Sequence, residues 1–270
     1  MPKCLCFMLL IFAISAPALA QGEWAGRDEA FQLKAYARIA SHSEEAANLY
    51  ADASEALEEG NLFFAKLAFK DVLDQAPAAD DAMRGLARVE YLWDNFEDAE
   101  GWARQALGIR ESMENRAQLA FVLLAFGEEE RNGEALELVR NAPEESPNEL
   151  WPNYSLFLAA HRVGDVEALK AASARMVEIA PEFGAPHFFH GQFLAKAGDW
   201  DAAELSLGRA AELGVAEEEI ALAMLKLELG EKMRVQRSAR GLIWFGMLVA
   251  LVGVGILLTL KIWFERRRPE

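Results

Sequence analysis

The feature that most constrains the fold of this chain is a six-residue phrase that occurs four times. Each copy begins with Gly or Asp, continues with Asn or Asp and has an apolar third residue. The copies start at Gly60, Asp94, Gly164 and Gly198, so the spacing is the same, about 34 residues, within the first pair and within the last pair. A fixed period of this length indicates an array of stacked helical hairpins.

Each phrase has the composition of a joint between two helices. Gly or Asp tolerates the backbone conformation that ends a helix, and the next residue can cap the following helix by accepting a hydrogen bond from its free N–H groups. The predicted caps are Asn61, Asn95, Asp165 and Asp199. The apolar third residue is placed to pack inside the hairpin. The repeated phrase therefore predicts packing and carries no catalytic pattern.

Two further kinds of residue recur around the phrases. Ala53 and Ala87 are small residues within predicted first helices, and Pro77 and Pro181 close second helices at equal distances after Gly60 and Gly164. On these residues the chain resembles the tetratricopeptide repeat (TPR) family over about residues 44–230. The resemblance implies an all-α fold, a TPR-like α-solenoid of about five helical hairpins plus capping helices. Arrays of this family usually bind other proteins and rarely carry out chemistry.

The repeats are irregular in the middle of the chain. The turn between Gly127 and Ala135 is longer than the corresponding step in the first repeat. Pro143, Pro147 and Pro152 exclude a continuous helix over that stretch and predict a joint between repeats. Further helices are expected at 28–43 and at 216–229, where they would cover the ends of the array.

Both ends of the chain carry segments outside the predicted repeats. Residues 1–20 have the composition of a cleavable secretory signal: Lys3 is followed by an apolar run and then by small residues. Residues 241–260 contain no charge and are numerous enough to cross a hydrocarbon core of about 30 Å as a helix. The predicted segments are a signal peptide at 1–20, an N-terminal segment with a capping helix at 21–43, the solenoid at 44–230, a basic juxtamembrane linker at 231–240, a C-terminal transmembrane helix at 241–264 and a cytoplasmic tail at 265–270.

These end segments predict a single-pass protein of the bacterial inner membrane, with the repeats in the periplasm and the C-terminus in the cytoplasm. Cys4 and Cys6 both fall in the predicted signal, and Gln21 stands where a lipid-anchored protein would need a cysteine. Gly246 and Ala250 give the span a small-residue surface through which it could associate with another membrane helix. The alternative is that small residues are simply common in such helices.

Charge and motifs exclude several functions. The net charge of −16 argues against nucleic acid as a partner, because nucleic-acid binding needs a basic surface. His187 and His190 have helical spacing, but no third ligand is evident, so we predict no metal site. The chain has no Gly-rich phosphate loop, no Gly-x-Ser-x-Gly elbow and no His-Glu-x-x-His motif. We therefore expect neither enzymatic activity nor a cofactor.

The resemblance implies a concave groove lined by the first helix of each hairpin, in which a protein or peptide partner would bind. Arg84 and Arg88 share a helix face and could grip a carboxylate-bearing peptide, while Tyr91, Tyr154 and Phe188 would supply apolar contacts. The alternative is that these side chains are solvated or pack between repeats. The dicarboxylate clamp of chaperone-binding TPR proteins is not recognisable. The predicted groove residues are Tyr50, Arg84, Arg88, Tyr91, Tyr154, His161, Arg162, Phe188, Gln192 and Lys196.

These patterns indicate a non-catalytic, membrane-anchored TPR scaffold or adaptor that mediates protein–protein interactions on the periplasmic side of the inner membrane. The order of its segments is similar to that of the aerotolerance-operon (Bat) TPR proteins. The alternative is a substrate-positioning subunit of an envelope biogenesis complex, such as one for cytochrome maturation or cell-wall synthesis.

Overall fold

The computed structural model describes residues 25–227, which form helices and short connections without a β-strand, so the all-α prediction is confirmed for this range. The helices are α1 (Ala25–Ala40), α2 (Glu44–Glu58), α3 (Leu62–Gln75), α4 (Asp80–Leu92), α5 (Phe96–Ile109), α6 (Met113–Leu123), α7 (Glu129–Val139), α8 (Ala142–Glu145), α9 (Leu150–Val163), α10 (Val166–Ile179), α11 (Gly184–Ala197), α12 (Trp200–Glu212) and α13 (217–227).

The predicted signal, juxtamembrane linker, transmembrane helix and tail lie outside the described residues. Within 25–227, no helix combines the length and the apolar character needed to cross a membrane.

The helices pair into five hairpins, α2–α3, α4–α5, α6–α7, α9–α10 and α11–α12, as the repeated phrase predicts. The second helix of one hairpin packs on the first helix of the next at α3–α4, α5–α6 and α10–α11. First helices also contact each other directly, α4 with α6 and α6 with α9. The first helices therefore form one layer of the stack, and we call the exposed side of α2, α4, α6, α9 and α11 the inner face.

The predicted joints adopt the left-handed backbone conformation that ends a helix. Gly60, Gly164 and Gly198 have φ of +77°, +84° and +85°, the left-handed region in which glycine has no Cβ to clash. Asp94, which replaces glycine in the second phrase, also has a positive φ, of 59°. A short polar side chain tolerates this region better than most. One backbone geometry thus ends all four helices.

The capping prediction is confirmed at three of the four joints. Asn61, Asp165 and Asp199 accept hydrogen bonds from backbone N–H groups three residues further on, at 3.3, 3.0 and 3.3 Å. At the remaining joint the prediction is wrong, because the Asn95 side chain makes no cap and its amide instead donates to Glu90 Oε2 at 3.0 Å. Glu90 is buried and forms an ion pair with Lys66, so the amide supplies a second donor.

Helix α1 ends three residues earlier than the predicted helix at 28–43, because Ser43 caps α2 by accepting a hydrogen bond from the Ala46 backbone. It packs on α2, where the Tyr36 hydroxyl lies 2.9 Å from Asn48 Oδ1. Helix α1 also approaches a hairpin distant in the sequence: Lys34 Nζ lies 3.9 Å from Oε1 of Glu149, the residue just before α9. The stack therefore curves enough to bring its first helix to the fourth hairpin.

The predicted irregular region contains the short helix α8. Pro143 lies at the start of α8, and Pro152 lies in the first turn of α9, where a missing N–H group costs no hydrogen bond. The break between helices therefore falls between these two prolines. In the lengthened turn, Gly127 has φ of +70° and precedes α7 by two residues.

Buried apolar side chains form two clusters along the stack. One runs from Ala35 to Val89, and the other includes Ala87 and continues to Leu227, with Trp102 packed against both. Within the first cluster, Gly85 of α4 lies against the buried Phe69 ring of α3. A Cβ added at Gly85 would lie 2.4 Å from Phe69 Cζ, which is inside van der Waals contact.

We predict that Gly85→Ala lowers the free energy of unfolding by about 1–3 kcal/mol, because the methyl group overpacks the contact with Phe69. Chemical denaturation followed by circular dichroism measures the change. The matched control is Gly101→Ala in α5, where an added Cβ meets no atom within 4 Å. Removing a mid-helix glycine there should instead stabilise by about 0.5–1 kcal/mol. Equal effects at the two positions would contradict the packing argument.

Candidate functional site on the inner face

The predicted groove residues fall into two groups. Tyr50, Arg84, Tyr154 and Phe188 are buried, which corrects the expectation that they line an open groove. Two of them pack between hairpins, as the alternative interpretation has it: Arg84 donates to Asn115, and the Tyr154 ring lies 5.3 Å from that of Phe189. The partly buried or exposed residues are Arg88, Tyr91, His161, Arg162, Gln192 and Lys196.

Arg84 is placed differently from the predicted grip on a peptide carboxylate. Its Nη2 atom donates to Asp81 Oδ1 at 2.6 Å, and its Nη1 atom donates to Asn115 Oδ1 at 2.9 Å. The guanidinium is therefore occupied within the protein, where it joins α4 to α6. Arg88, four residues further along α4, is partly exposed.

Asp81 and its neighbour organise a buried polar network around this arginine. Arg38 of α1 donates to both Asp81 carboxylate oxygens, at 2.7 and 2.9 Å. Burial alone would raise the pKa of Asp81, but the hydrogen bond from Arg38 and the charge of Arg84 outweigh it and hold the pKa below its usual value. Asn115 donates to Asp80 Oδ2 at 2.7 Å. The network therefore fixes α1, α4 and α6 to one another.

Three aromatic rings form a continuous line across the inner face, and we call Tyr91, Phe121 and Trp151 the aromatic strip. The ring centroids are 4.7 Å apart between Tyr91 and Phe121 and 4.9 Å apart between Phe121 and Trp151. All three side chains are partly exposed. Buried Tyr154 extends the line inward, with its ring 5.3 Å from that of Phe189. The strip therefore presents apolar surface from α4, α6 and α9 on a supported base.

The strip crosses the inner face obliquely. Tyr91 lies near the C-terminal end of α4, Phe121 lies two residues before the end of α6, and Trp151 lies in the first turn of α9. The three residues are also evenly spaced in the chain. Phe121 and Trp151 were not predicted as groove residues. The sequence signal that could have found them is this even spacing of aromatic residues from Tyr91 onward.

Charges of opposite sign lie at the two ends of the strip. At the Tyr91 end are Arg162 and Lys196, near the C-terminal ends of α9 and α11, together with His161. Arg162 is close enough for its charge to favour ionisation of Tyr91, although burial and Asp94 act in the opposite direction and raise the pKa of Tyr91 overall. At the Trp151 end lies Glu149, whose pKa is raised by burial and by the charge of Glu114.

We predict that His161 stays neutral at pH 7, because burial and the charges of Lys196 and Arg162 lower its pKa to about 4. The folded state then binds fewer protons than the unfolded state between pH 6.5 and 4, so this contribution to stability is complete above pH 6.5 and declines as the pH falls through that window. An NMR titration of the ring measures the pKa. Lys196→Gln should raise it, and a wild-type value near 6.5 would contradict the expectation.

The two histidines considered as metal ligands each make a hydrogen bond within the protein. His187 Nε2 lies 2.9 Å from the Pro181 carbonyl oxygen, and His190 Nδ1 lies 3.1 Å from Ser173 Oγ. Across residues 25–227, no group of three His, Cys, Asp or Glu side chains is arranged to hold a metal ion.

Solved structures with the same architecture support the fold. PilF of Pseudomonas aeruginosa superposes with a TM-score of 0.61 at 18% identity, covering 75% of this chain and 91% of that one. TTC0263, a TPR protein of Thermus thermophilus, gives 0.57 at 14% identity, covering 68% and 99%. PilW, described as a type IV pilus biogenesis factor, gives 0.57 at 17% identity, covering 73% and 94%.

This chain has the TPR fold. No protein-family model matches its sequence, and no curated protein matches it either. The aromatic strip and its two charged ends lie on the inner face, in the layer formed by the first helices.

Proposed function

We propose that this chain is a non-catalytic scaffold that binds a segment of another protein along the aromatic strip. The single observation that carries the proposal is the continuity of the three partly exposed rings, 4.7 and 4.9 Å apart, across three successive hairpins. Tyr and Trp side chains commonly dominate binding energy, because they bury much apolar area with few rotatable bonds. Rings held in place by buried neighbours lose little further freedom when a ligand covers them.

The proposal includes a place for the scaffold. The repeats stand on the periplasmic side of a bacterial inner membrane, held by residues 241–264, after export directed by residues 1–20. The support for this is the apolar, charge-free run at 241–260 and the signal-like composition at the start of the chain. The proposal also includes the order of segments found in the Bat TPR proteins, in which exported repeats are followed by a basic stretch and a membrane helix.

Affinity capture from membranes tests the binding role. The full chain and its Phe121→Ala/Trp151→Ala variant are compared, with Leu205→Ala as the control. Leu205 is 77% exposed on α12, so its truncation removes a surface apolar side chain elsewhere. Proteins that are captured by the wild type and the control but lost with the double variant support the proposal. The same captured set from all three chains would refute it. A captured biogenesis enzyme would indicate the substrate-positioning role.

Labelling of single cysteines tests the location. The chain has only Cys4 and Cys6, both in the proposed signal, so an introduced cysteine is the only thiol of the processed protein. Asp52→Cys in α2 should react with a membrane-impermeant maleimide in spheroplasts, whereas Arg267→Cys in the tail should react only after lysis. The reverse pattern would overturn the proposed orientation.

A further inference from the structure

We propose that the segment bound along the aromatic strip carries a carboxylate next to its apolar residues, and that Arg162 and Lys196 bind this carboxylate at the Tyr91 end. This inference rests on the proposed function and specifies the chemistry of the partner. It assigns the ligand a direction across the inner face, with the acidic group beside α9 and α11 and the apolar side chains over Phe121 and Trp151.

The first support is the pairing of arginines in this acidic chain. Carboxylate partners within 4.0 Å are present for Arg38, Arg84, Arg104, Arg110, Arg116, Arg131, Arg140, Arg175 and Arg209. Among the described residues, Arg162 forms no such ion pair, and neither does Lys196. Arg162 and Lys196 are exposed on neighbouring first helices and have no carboxylate within 4.0 Å among residues 25–227, so a ligand can supply the anion there.

The second support is that these cations lie at the same end of two helices in contact. Arg162 and Lys196 are in the last turns of α9 and α11, and these helices contact each other through the rings of Tyr154 and Phe189, 5.3 Å apart. The charges of both cations also disfavour protonation of His161. Like charges held near one another raise the local positive potential, which attracts an anion and is relieved by one. An alternative account is that both cations only stabilise helix C-termini through the backbone dipole, which is worth about 0.3–1 kcal/mol each. That account predicts no effect on a ligand.

The third support is the asymmetry of the strip. The Trp151 end carries Glu149, which lies within the field of Glu114, and its closest described cation is Lys34 Nζ at 3.9 Å. Lys34 is itself 64% exposed, and solvent weakens such a pair. A ligand carboxylate is thus repelled from one end of the strip and attracted to the other. The two ring spacings of 4.7 and 4.9 Å span about three residues of extended chain at roughly 3.3 Å per residue.

Fluorescence anisotropy with synthetic heptapeptides tests the inference on the full chain in detergent. The probe is acetyl-Ser-Ser-Phe-Ser-Leu-Glu-Glu-amide, and its reverse-order peptide covers the opposite chain direction. Matched peptides carry Gln-Gln or Lys-Lys in place of Glu-Glu. We expect the better of the two Glu peptides to bind at least about tenfold tighter than its Gln counterpart, and the Lys peptide to bind weakest.

Variants locate the effect. Arg162→Glu/Lys196→Glu should abolish the preference for the Glu peptide and leave the affinity for the Gln peptide within about twofold. The matched control, Lys170→Glu/Arg175→Glu on α10, makes the same change in net charge away from the inner face and should keep the preference. Glu149→Gln should change the affinity for the Glu peptide by less than about twofold.

The outcomes separate this inference from the proposed function. If Glu and Gln peptides bind equally and Phe121→Ala/Trp151→Ala abolishes both, the carboxylate inference is overturned while the strip remains a binding surface. If the double alanine variant leaves every peptide unaffected, the proposed function is overturned as well. Equal loss of preference in the α10 control would show a long-range charge effect and overturn the assignment to Arg162 and Lys196. No binding of any peptide to the wild type at about 1 mM would also overturn it.

Discussion

Replacing Asp81 with Ala is expected to lower the free energy of unfolding by about 3–5 kcal/mol, the range for removing one partner of a buried ion pair. The Asp81 side chain is 1% exposed and accepts hydrogen bonds from Arg38 and Arg84. Without the carboxylate, the Arg84 guanidinium remains buried between α4 and α6 with its nearest counter-charge removed. The cost therefore comes from an uncompensated buried charge more than from the lost hydrogen bonds. Chemical denaturation measures the change.

Two comparisons make the Asp81 prediction specific. Glu178→Ala breaks the Arg175–Glu178 pair, whose side chains are 38% and 64% exposed, and should cost less than about 1 kcal/mol. The lowered pKa of Asp81 also predicts stability that is present above the unfolded pKa, near 3.8, and is lost as the pH falls through the folded value. If Asp81→Ala and Glu178→Ala had equal effects, the network would not be holding the helices together.

Replacing Tyr154 with Ala should lower the free energy of unfolding by a similar amount, about 3–5 kcal/mol, because it removes a large buried ring. Tyr154 is 1% exposed, and its ring contacts those of Trp151, Phe121 and Phe189. Its loss leaves a cavity beneath the aromatic strip at the contact of α6, α9 and α11. Thermal and chemical denaturation both report the change.

Tyr154→Phe is the matched control, because it keeps the ring contacts and removes only the hydroxyl. Burial raises the pKa of Tyr154, so the hydroxyl stays protonated across the working range, and its removal changes no charge. We expect a smaller loss than for Ala. A Phe variant as unstable as the Ala variant would show that the hydroxyl, and not the ring, holds this part of the core.

The hairpin array could be predicted from sequence because its signals are local. Gly60, Gly164 and Gly198 require a backbone region that few other residues adopt, and the Asp and Asn residues after them cap the next helix within three residues. These interactions depend on a few neighbouring residues, so the pattern alone predicts them. Asn95 is the exception: its side chain makes no cap, and its amide donates to the buried carboxylate of Glu90, five residues earlier.

The inner face could be predicted only in part, because side-chain placement there depends on how hairpins cross. Arg84 looked like a groove residue from its helical position, yet Asp81 and Asn115 enclose it. Phe121 and Trp151 were missed because the lengthened turn and the short helix α8 interrupt the repeat period between them and their neighbours. Counting along the repeat therefore loses register where the strip is formed.

The division of the apolar core along α4 has a mechanical consequence. Leu86 and Val89 of this helix belong to the N-terminal cluster and Ala87 to the C-terminal one, so the molecule has a seam at which its two halves meet. Tyr91 projects from the helix at that seam, and Phe121 belongs to the far side. A ligand that contacts both rings links the two halves. The ligand-bound protein should therefore unfold in a single cooperative transition.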